Sequence, residues 1–220
     1  PAEEIREKGN ARPWIVLPKE RFNIVCMGRF TPQKGFDRLL DVLKTLREKE
    51  ISGFYVTILG DGFERPMLEQ QLREYGLQDT VSLPGYVENP YAIIKQADLF
   101  ALPSRDESFS LAVAEAMVLG IPVMSTRCTG PVELLKDGEA GCLVENSEEG
   151  ILQGMRDCLS GKVPKSLNID YEAYNQEAIA QFESLATVSL PHISLTFVVF
   201  KKPYSIKSYF FFVLFYKILN

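Results

Sequence analysis

Short apolar runs alternate along the chain with segments whose apolar residues recur every three or four positions. Phe22 to Gly28, FNIVCMG, follows a charged flank and reads as a buried parallel strand ending in glycine. Phe36 to Lys49 then takes helical spacing through Phe36, Leu39, Leu40, Leu43 and Leu46. The unit repeats: Phe54 to Leu59 predicts a strand, Gly60-Asp61-Gly62 a turn, and Glu64 to Tyr75 a helix with Met67, Leu68 and Leu72 turned inward. Further strands are predicted at Thr80 to Leu83, Asp98 to Leu102, Ile121 to Ser125 and Gly141 to Val144. Helical pieces are predicted at Pro90 to Gln96, Pro131 to Leu135 and Ser147 to Leu159. This alternation predicts an α/β fold with a doubly wound, Rossmann-like parallel sheet. Ligands of such sheets bind beyond the carboxyl ends of the strands.

One stretch stands apart. In Ser104 to Gly120, SRDESFSLAVAEAMVLG, a polar turn carrying Glu107 runs into an apolar helical segment carrying Glu115. A fully helical interval would separate the two carboxylates by ~12 Å along the axis at ~1.5 Å per residue. That exceeds the ~5 to 9.5 Å of the carboxylate pairs that hydrolyse glycosides. It suits two acids touching different parts of one elongated ligand. The other reading has Glu107 complementing the helix dipole and Glu115 pairing with a basic neighbour. Arg29, Lys34, Gly60, Gly62, Ser104, Glu107 and Gly130 all fall in loops at the carboxyl edge, so unusual polar and glycine residues gather on one rim. Against a ligand role, Arg29 and Lys34 read as two solvated loop cations.

Composition narrows the partners. The 220 residues are 46% hydrophobic, enough for a substantial core, and the net charge of -5 argues against general nucleic-acid binding. Cys26, Cys128, Cys142 and Cys158 form no C-x-x-C pair and have no histidine at ligand spacing, so neither a disulfide framework nor a zinc site is indicated. Reduced thiols point to a cytoplasmic setting, and Cys128 reads as a small filler rather than a nucleophile. No D-x-D proposes a metal-bound diphosphate, and the third glycine of a dinucleotide fingerprint is replaced by Arg65, which argues against an NAD enzyme.

Residues 1–21 open on Pro1 and a polar stretch, and are expected to be the remnant of a linker in a longer protein. A ligand-binding domain is expected over 22–186, closed by a helix at Tyr171 to Leu185. An aromatic-rich tail follows over 187–220. Its runs Val188 to Phe200 and Ser208 to Leu219 are shorter than the ~20 residues of a membrane span. They read as packed strands or a helix, as a peripheral membrane contact, or as an extension without a folded role, the last being favoured. His192, the only histidine, lies there and is given no catalytic part.

Taken together, Gly28-Arg29-Phe30 with Lys34-Gly35, Leu59 to Gly62, Val81 to Gly85, Leu102-Pro103-Ser104, the Glu107 to Glu115 interval, Gly120 to Val123 and Gly130-Pro131 to Glu133 resemble the retaining glycosyltransferases of family 4. The resemblance covers roughly Phe22 to Gly150 and implies the C-terminal, donor-binding domain of a GT-B fold. It implies a UDP- or GDP-sugar donor, no metal or other cofactor, and transfer with retention of anomeric configuration, in surface polysaccharide or glycolipid synthesis. By that resemblance Arg29 and Lys34 contact the diphosphate, Glu107 lies near the sugar hydroxyls and Glu115 accepts from the ribose. The backbone N–H groups of Phe109, Ser110 and Leu111 meet a phosphate. The resemblance also implies that an N-terminal acceptor domain is missing, so that the chain alone is expected to bind donor with little or no transfer, with the inner face of the membrane as an expected setting. A non-catalytic sugar-nucleotide-binding module is the other class this resemblance allows. Cys128-Thr129 departs from the family pattern before Gly130-Pro131 and leaves the sugar preference open.

Overall fold

Six strands form one parallel sheet in the order β3-β2-β1-β4-β5-β6: β1 (Phe22–Met27), β2 (Phe54–Leu59), β3 (Val81–Gly85), β4 (Leu99–Leu102), β5 (Val123–Thr126) and β6 (Cys142–Val144). The computed structural model describes residues 2–162, Asp170, Glu172, Ala173, Gln176, Ser189–Leu190 and Ile193–Ser194. Strand order reverses between β1 and β4, which opens a crevice at their carboxyl ends. The sheet is the Rossmann-like one that the alternating pattern predicts.

Two helix layers cover it. On one side α2 (Phe36–Glu48) packs against α3 (Arg65–Glu74) and α7 (Glu148–Leu159). Their apolar stripes meet the sheet in a core containing Ile24, Cys26, Leu39, Leu43, Ile58 and Leu68, all without solvent exposure. Phe30 meets Phe36 edge-on at 5.5 Å, tying the loop after β1 to that core. The Ser147 hydroxyl caps α7 by accepting from the Gly150 N–H at 3.0 Å. In the other layer α5 (Leu111–Val118) packs against α4 (Tyr91–Ile94) and α6 (Thr129–Leu134).

Four expectations need correction. Residues 1–21 are not merely a linker stretch: α1 (Ala2–Gly9) buries Ala2, Ile5 and Gly9 against α4 and α5, with Glu3 and Glu4 in its first turn and Arg6 and Lys8 in its last, as the helix dipole favours. Strand β3 runs through Pro84 to Gly85, because it lies at the sheet edge, where proline gives up no ladder bond that a neighbour needs. Met67 is 43% exposed. Leu68 and Leu72, four apart, occupy the inner stripe of α3, and Met67 sits about 100° round the helix from Leu68. Helix α5 begins only at Leu111, so Glu107 stands in a loop four residues ahead of it.

The chain divides into two units, Pro1–Tyr171 and Glu172–Asn220. In the second, β7 (Ser189–Leu190) pairs antiparallel with β8 (Ile193–Ser194). Most of the expected helix at 171–185, most of the aromatic tail and His192 lie outside the described residues. Among the described residues no helix is long and apolar enough to cross a membrane.

Candidate functional site

Three loops meet at the crevice. The one after β1 makes a single 3-10 turn, Pro32–Lys34, and leaves it through Gly35 at φ 66°. A side chain there would be strained and would overlap the Pro103 carbonyl just past β4. Glycine thus lets the loops after β1 and β4 close on each other, and the closure brings Lys34 to Glu107. The Lys34 Nζ lies 2.5 Å from the Glu107 Oε2, with the two side chains 20% and 9% exposed. The Ser104 hydroxyl donates to the same oxygen at 3.2 Å. The interval between Glu107 and Glu115 is therefore not fully helical: one acid is folded back onto the first loop and the other lies in a helix.

The polypeptide around Glu107 is heavily bonded. Buried Arg38 on α2 donates to the Pro103 carbonyl at 3.0 and 2.7 Å, to the Ser104 carbonyl at 2.7 Å and to the Asn146 Oδ1 at 2.7 Å. The Thr126 hydroxyl also donates to the Ser104 carbonyl, at 2.5 Å. Arg105 grips Asp37 through two bonds of 2.7 Å, while its backbone N–H donates to the Gln33 carbonyl at 2.7 Å. Burial opposes ionisation of Asp37, yet the Arg105 guanidinium together with the backbone N–H groups of Arg38 and Asp37 outweighs it and holds the carboxyl below its usual range. The third loop, after β5, closes against the second through the Gly130 N–H, which donates to the Glu107 carbonyl at 2.9 Å. A Cβ on Gly130 would come within 2.8 Å of the Ser108 carbonyl.

Glu115 lives in a different medium. Burial pushes its carboxyl up to about 7, and the hydrogen bond from the Tyr91 hydroxyl, 3.0 Å from Oε1, acts in the opposite direction. Its residue is 5% exposed, on a helix whose flanking Ala114 and Ala116 are fully buried. Ahead of it, Phe109 and Ser110 precede α5 and Leu111 is its first residue, so these three form the helix N-terminus at the same sheet edge as Lys34. Arg29 is exposed just beyond β1. The Cys128 thiol is buried and held above its usual range by that burial, against the Thr126 hydroxyl, which suits packing rather than nucleophilic attack.

Gly60 and Gly62 have a packing reason of their own. A Cβ on Gly60 would overlap the Gly28 carbonyl, and one on Gly62 would lie 2.7 Å from the Phe30 nitrogen. They let the loop after β2 lie flat against the loop after β1, where the Phe30 N–H donates to the Asp61 carbonyl at 2.9 Å.

Sequence reasoning missed Arg38, Asp37, Arg105, Tyr91 and Asn146. On sequence Arg38 and Asp37 look like ordinary charges on an exposed helix face. Also missed was a cavity of about 530 Å³ among the loops after β4, β5 and β6, lined in part by Arg105, Asp106, Arg127, Thr129 and Asn146. Among the described residues no group of three or more His, Cys, Asp or Glu side chains is placed to hold a metal ion.

The family described as "Glycosyl transferases group 1" matches residues 7–176. The chain is 32% identical over 134 residues to the lipopolysaccharide core biosynthesis glycosyltransferase LpsE of Rhizobium meliloti, covering 61% of this chain and 38% of that protein. It spans about a third of the length of the first curated relatives it matches. Among solved structures it is similar to Anabaena Alr3699/HepE in complex with UDP and glucose, at a TM-score of 0.62 and 23% identity, over 75% of this chain and 49% of that one. It is also similar to the C-terminal domain of the glycosyl transferase group 1 family protein LpcC from Francisella tularensis, at a TM-score of 0.56 and 23% identity, over 63% of this chain and 75% of that one. These likenesses assign the sheet to the Rossmann-like half of GT-B glycosyltransferases. With its parallel six-stranded sheet and a family match over most of its length, the chain belongs to the group 1 glycosyl transferases.

Proposed function

We propose that this chain is the donor-binding half of a family 4, retaining glycosyltransferase that uses a UDP- or GDP-sugar without a metal. The observation that carries the reading is the Lys34–Glu107 pair at the crevice where strand order reverses, beside the N-terminus of α5. A diphosphate entering that crevice meets Arg29 and Lys34 and the helix N-terminus at Phe109, Ser110 and Leu111, all favourable to negative charge. Because Lys34 is already bound to Glu107, the diphosphate competes for the same ammonium. Drawing Lys34 toward the phosphates frees acceptor capacity on Glu107, which then receives hydroxyls of the sugar.

As the sugar–phosphate bond breaks, negative charge grows on the departing nucleotide, and the two cations stabilise it without a metal. Glu115 accepts from the ribose. Ser104 holds Glu107, while Gly60, Gly62 and Gly130 set the loops that shape the crevice. In this reading acceptor binding and the rest of the catalytic surroundings fall to the part of such enzymes that this chain does not span. Titration calorimetry with UDP and GDP tests the reading: one of them binds, and chelator leaves its affinity unchanged. Binding of neither would overturn it.

A further inference from the structure

We propose that Tyr91 is a positioning residue for Glu115, holding one carboxylate oxygen so that the other meets the ribose hydroxyls of a bound nucleoside diphosphate. The inference rests on the donor-binding reading above. Its starting point is that Glu115 has few means of being held in place. Its helix is apolar on every side, with Val113, Ala114, Ala116 and Met117 buried. Among the described residues Tyr91 supplies the one hydrogen bond to the carboxylate, and no cation lies within ion-pair distance.

Tyr91 is itself held in register. It opens α4 directly after Pro90, and one turn later the Lys95 Nζ donates to the Leu119 carbonyl at 2.8 Å. The two bonds join Tyr91 to Glu115 and Lys95 to Leu119, each partner pair displaced by the same four residues. Helix α4 is thereby clamped along α5, with the phenol 3.0 Å from the Glu115 Oε1. Beneath it Ile93 and Ile94 are fully buried, so the clamp cannot slide without opening the core.

A phenol suits this task because it has a single O–H to give. It bonds the ionised acid, the form a ribose hydroxyl needs as its acceptor, and works against the burial that favours the neutral form. No other neighbour does this. Helix α1 presents Glu3, Glu4, Arg6, Glu7 and Lys8, all exposed. Helix α6 presents the exposed Glu133, Lys95 is bonded to a carbonyl, and β4 and β5 carry no titratable side chain.

The test is calorimetry of UDP and GDP on the full chain from pH 5.5 to 9, for wild type, Tyr91→Phe, Glu115→Gln and the double variant. Wild-type affinity should rise with pH through the neutral range and level off. In Tyr91→Phe the rise should move to higher pH, with binding about tenfold weaker at pH 7, the size of a hydrogen bond to a charged group, and mostly recovered at pH 9. Glu115→Gln should flatten the profile, and adding Tyr91→Phe to it should change little. A uniform loss at every pH, no loss in Tyr91→Phe, or a further large loss in the double variant would overturn the role of Tyr91. If wild type binds neither nucleotide at any pH, the donor-binding reading itself fails and the inference goes with it.

Discussion

Glu107 and Glu115 lie eight positions apart in one motif, yet the fold treats them as opposites. Glu107 stands in a loop, bonded to an ammonium and a hydroxyl, within polypeptide that Arg38, Arg105 and Gly130 tie down from three sides. Glu115 stands in a dry helix, with a phenol as partner and burial as the dominant influence on its proton. In the proposed reading the loop acid exchanges partners as charge arrives. The helix acid offers a fixed acceptor at a fixed place. On that reading two carboxylates so differently housed serve two parts of a ligand, and neither housing resembles a pair acting at one bond.

The largest expected effect breaks the loop side of that contrast. Arg38→Met leaves the buried Pro103 carbonyl without a donor, takes from the Ser104 carbonyl one donor while the Thr126 hydroxyl remains, and breaks the bond to exposed Asn146, so it should lower unfolding free energy by about 3 kcal/mol, since an orphaned buried group costs ~1 to 3 and a lost bond to a charged group adds to it. Chemical denaturation reads this directly. On the helix side, the expected effect is a pH dependence. Glu115 has a folded value near 7 against an ordinary 4.5. Below pH 4.5 it is protonated in both folded and unfolded chains. Between about 4.5 and 7 the unfolded chain releases the proton while the folded chain keeps it, so this group's contribution to stability falls by about 3 kcal/mol and then levels off. Denaturation curves across that range should show the decline, and Glu115→Gln should remove its share.

A smaller effect sharpens the loop acid's role. Lys34→Met removes a cation from the crevice and should weaken UDP or GDP binding about tenfold, in keeping with a lost charge-assisted hydrogen bond. Calorimetry at fixed salt measures it. The smallest effect separates buried from exposed anchoring of the same loop. Arg105→Met breaks the pair with Asp37, whose side chains are 40% and 28% exposed, and should cost about 1 kcal/mol or less, because solvent screens such pairs. A loss as large as that of Arg38→Met would show that the exposed pair, not the buried arginine, fixes the loop.

The sheet was legible because parallel strands buried on both faces leave unbroken apolar runs, and FNIVCM and FYVTIL are such runs. Strand boundaries were less so: Pro84 argued for an early end to β3, and only the edge position of that strand explains its tolerance. The rim was legible from Arg29, Lys34, Glu107 and Gly130, since carboxyl-end loops follow from strand order along the chain. What holds the rim was hidden. Arg38 occupies a helix position that looks solvated, and only the return of Pro103, Ser104 and Asn146 over α2 makes it an internal donor. Tyr91 was equally silent, because its partner is twenty-four residues away on another helix. The late start of α5 escaped as well, because the backbone of residues 104–109 bonds to other loops that local spacing cannot foresee.

The most direct test of this division of labour compares Glu107→Ala with Glu115→Ala in their affinity for the free nucleotide that the chain binds, UDP or GDP, at pH 8. Glu115→Ala should weaken free-nucleotide binding, and Glu107→Ala should keep or tighten it, because the carboxylate that competes for Lys34 is gone, while eroding the preference for the sugar-bearing donor over the nucleotide alone. Equal losses of free-nucleotide affinity in the two variants would contradict the account.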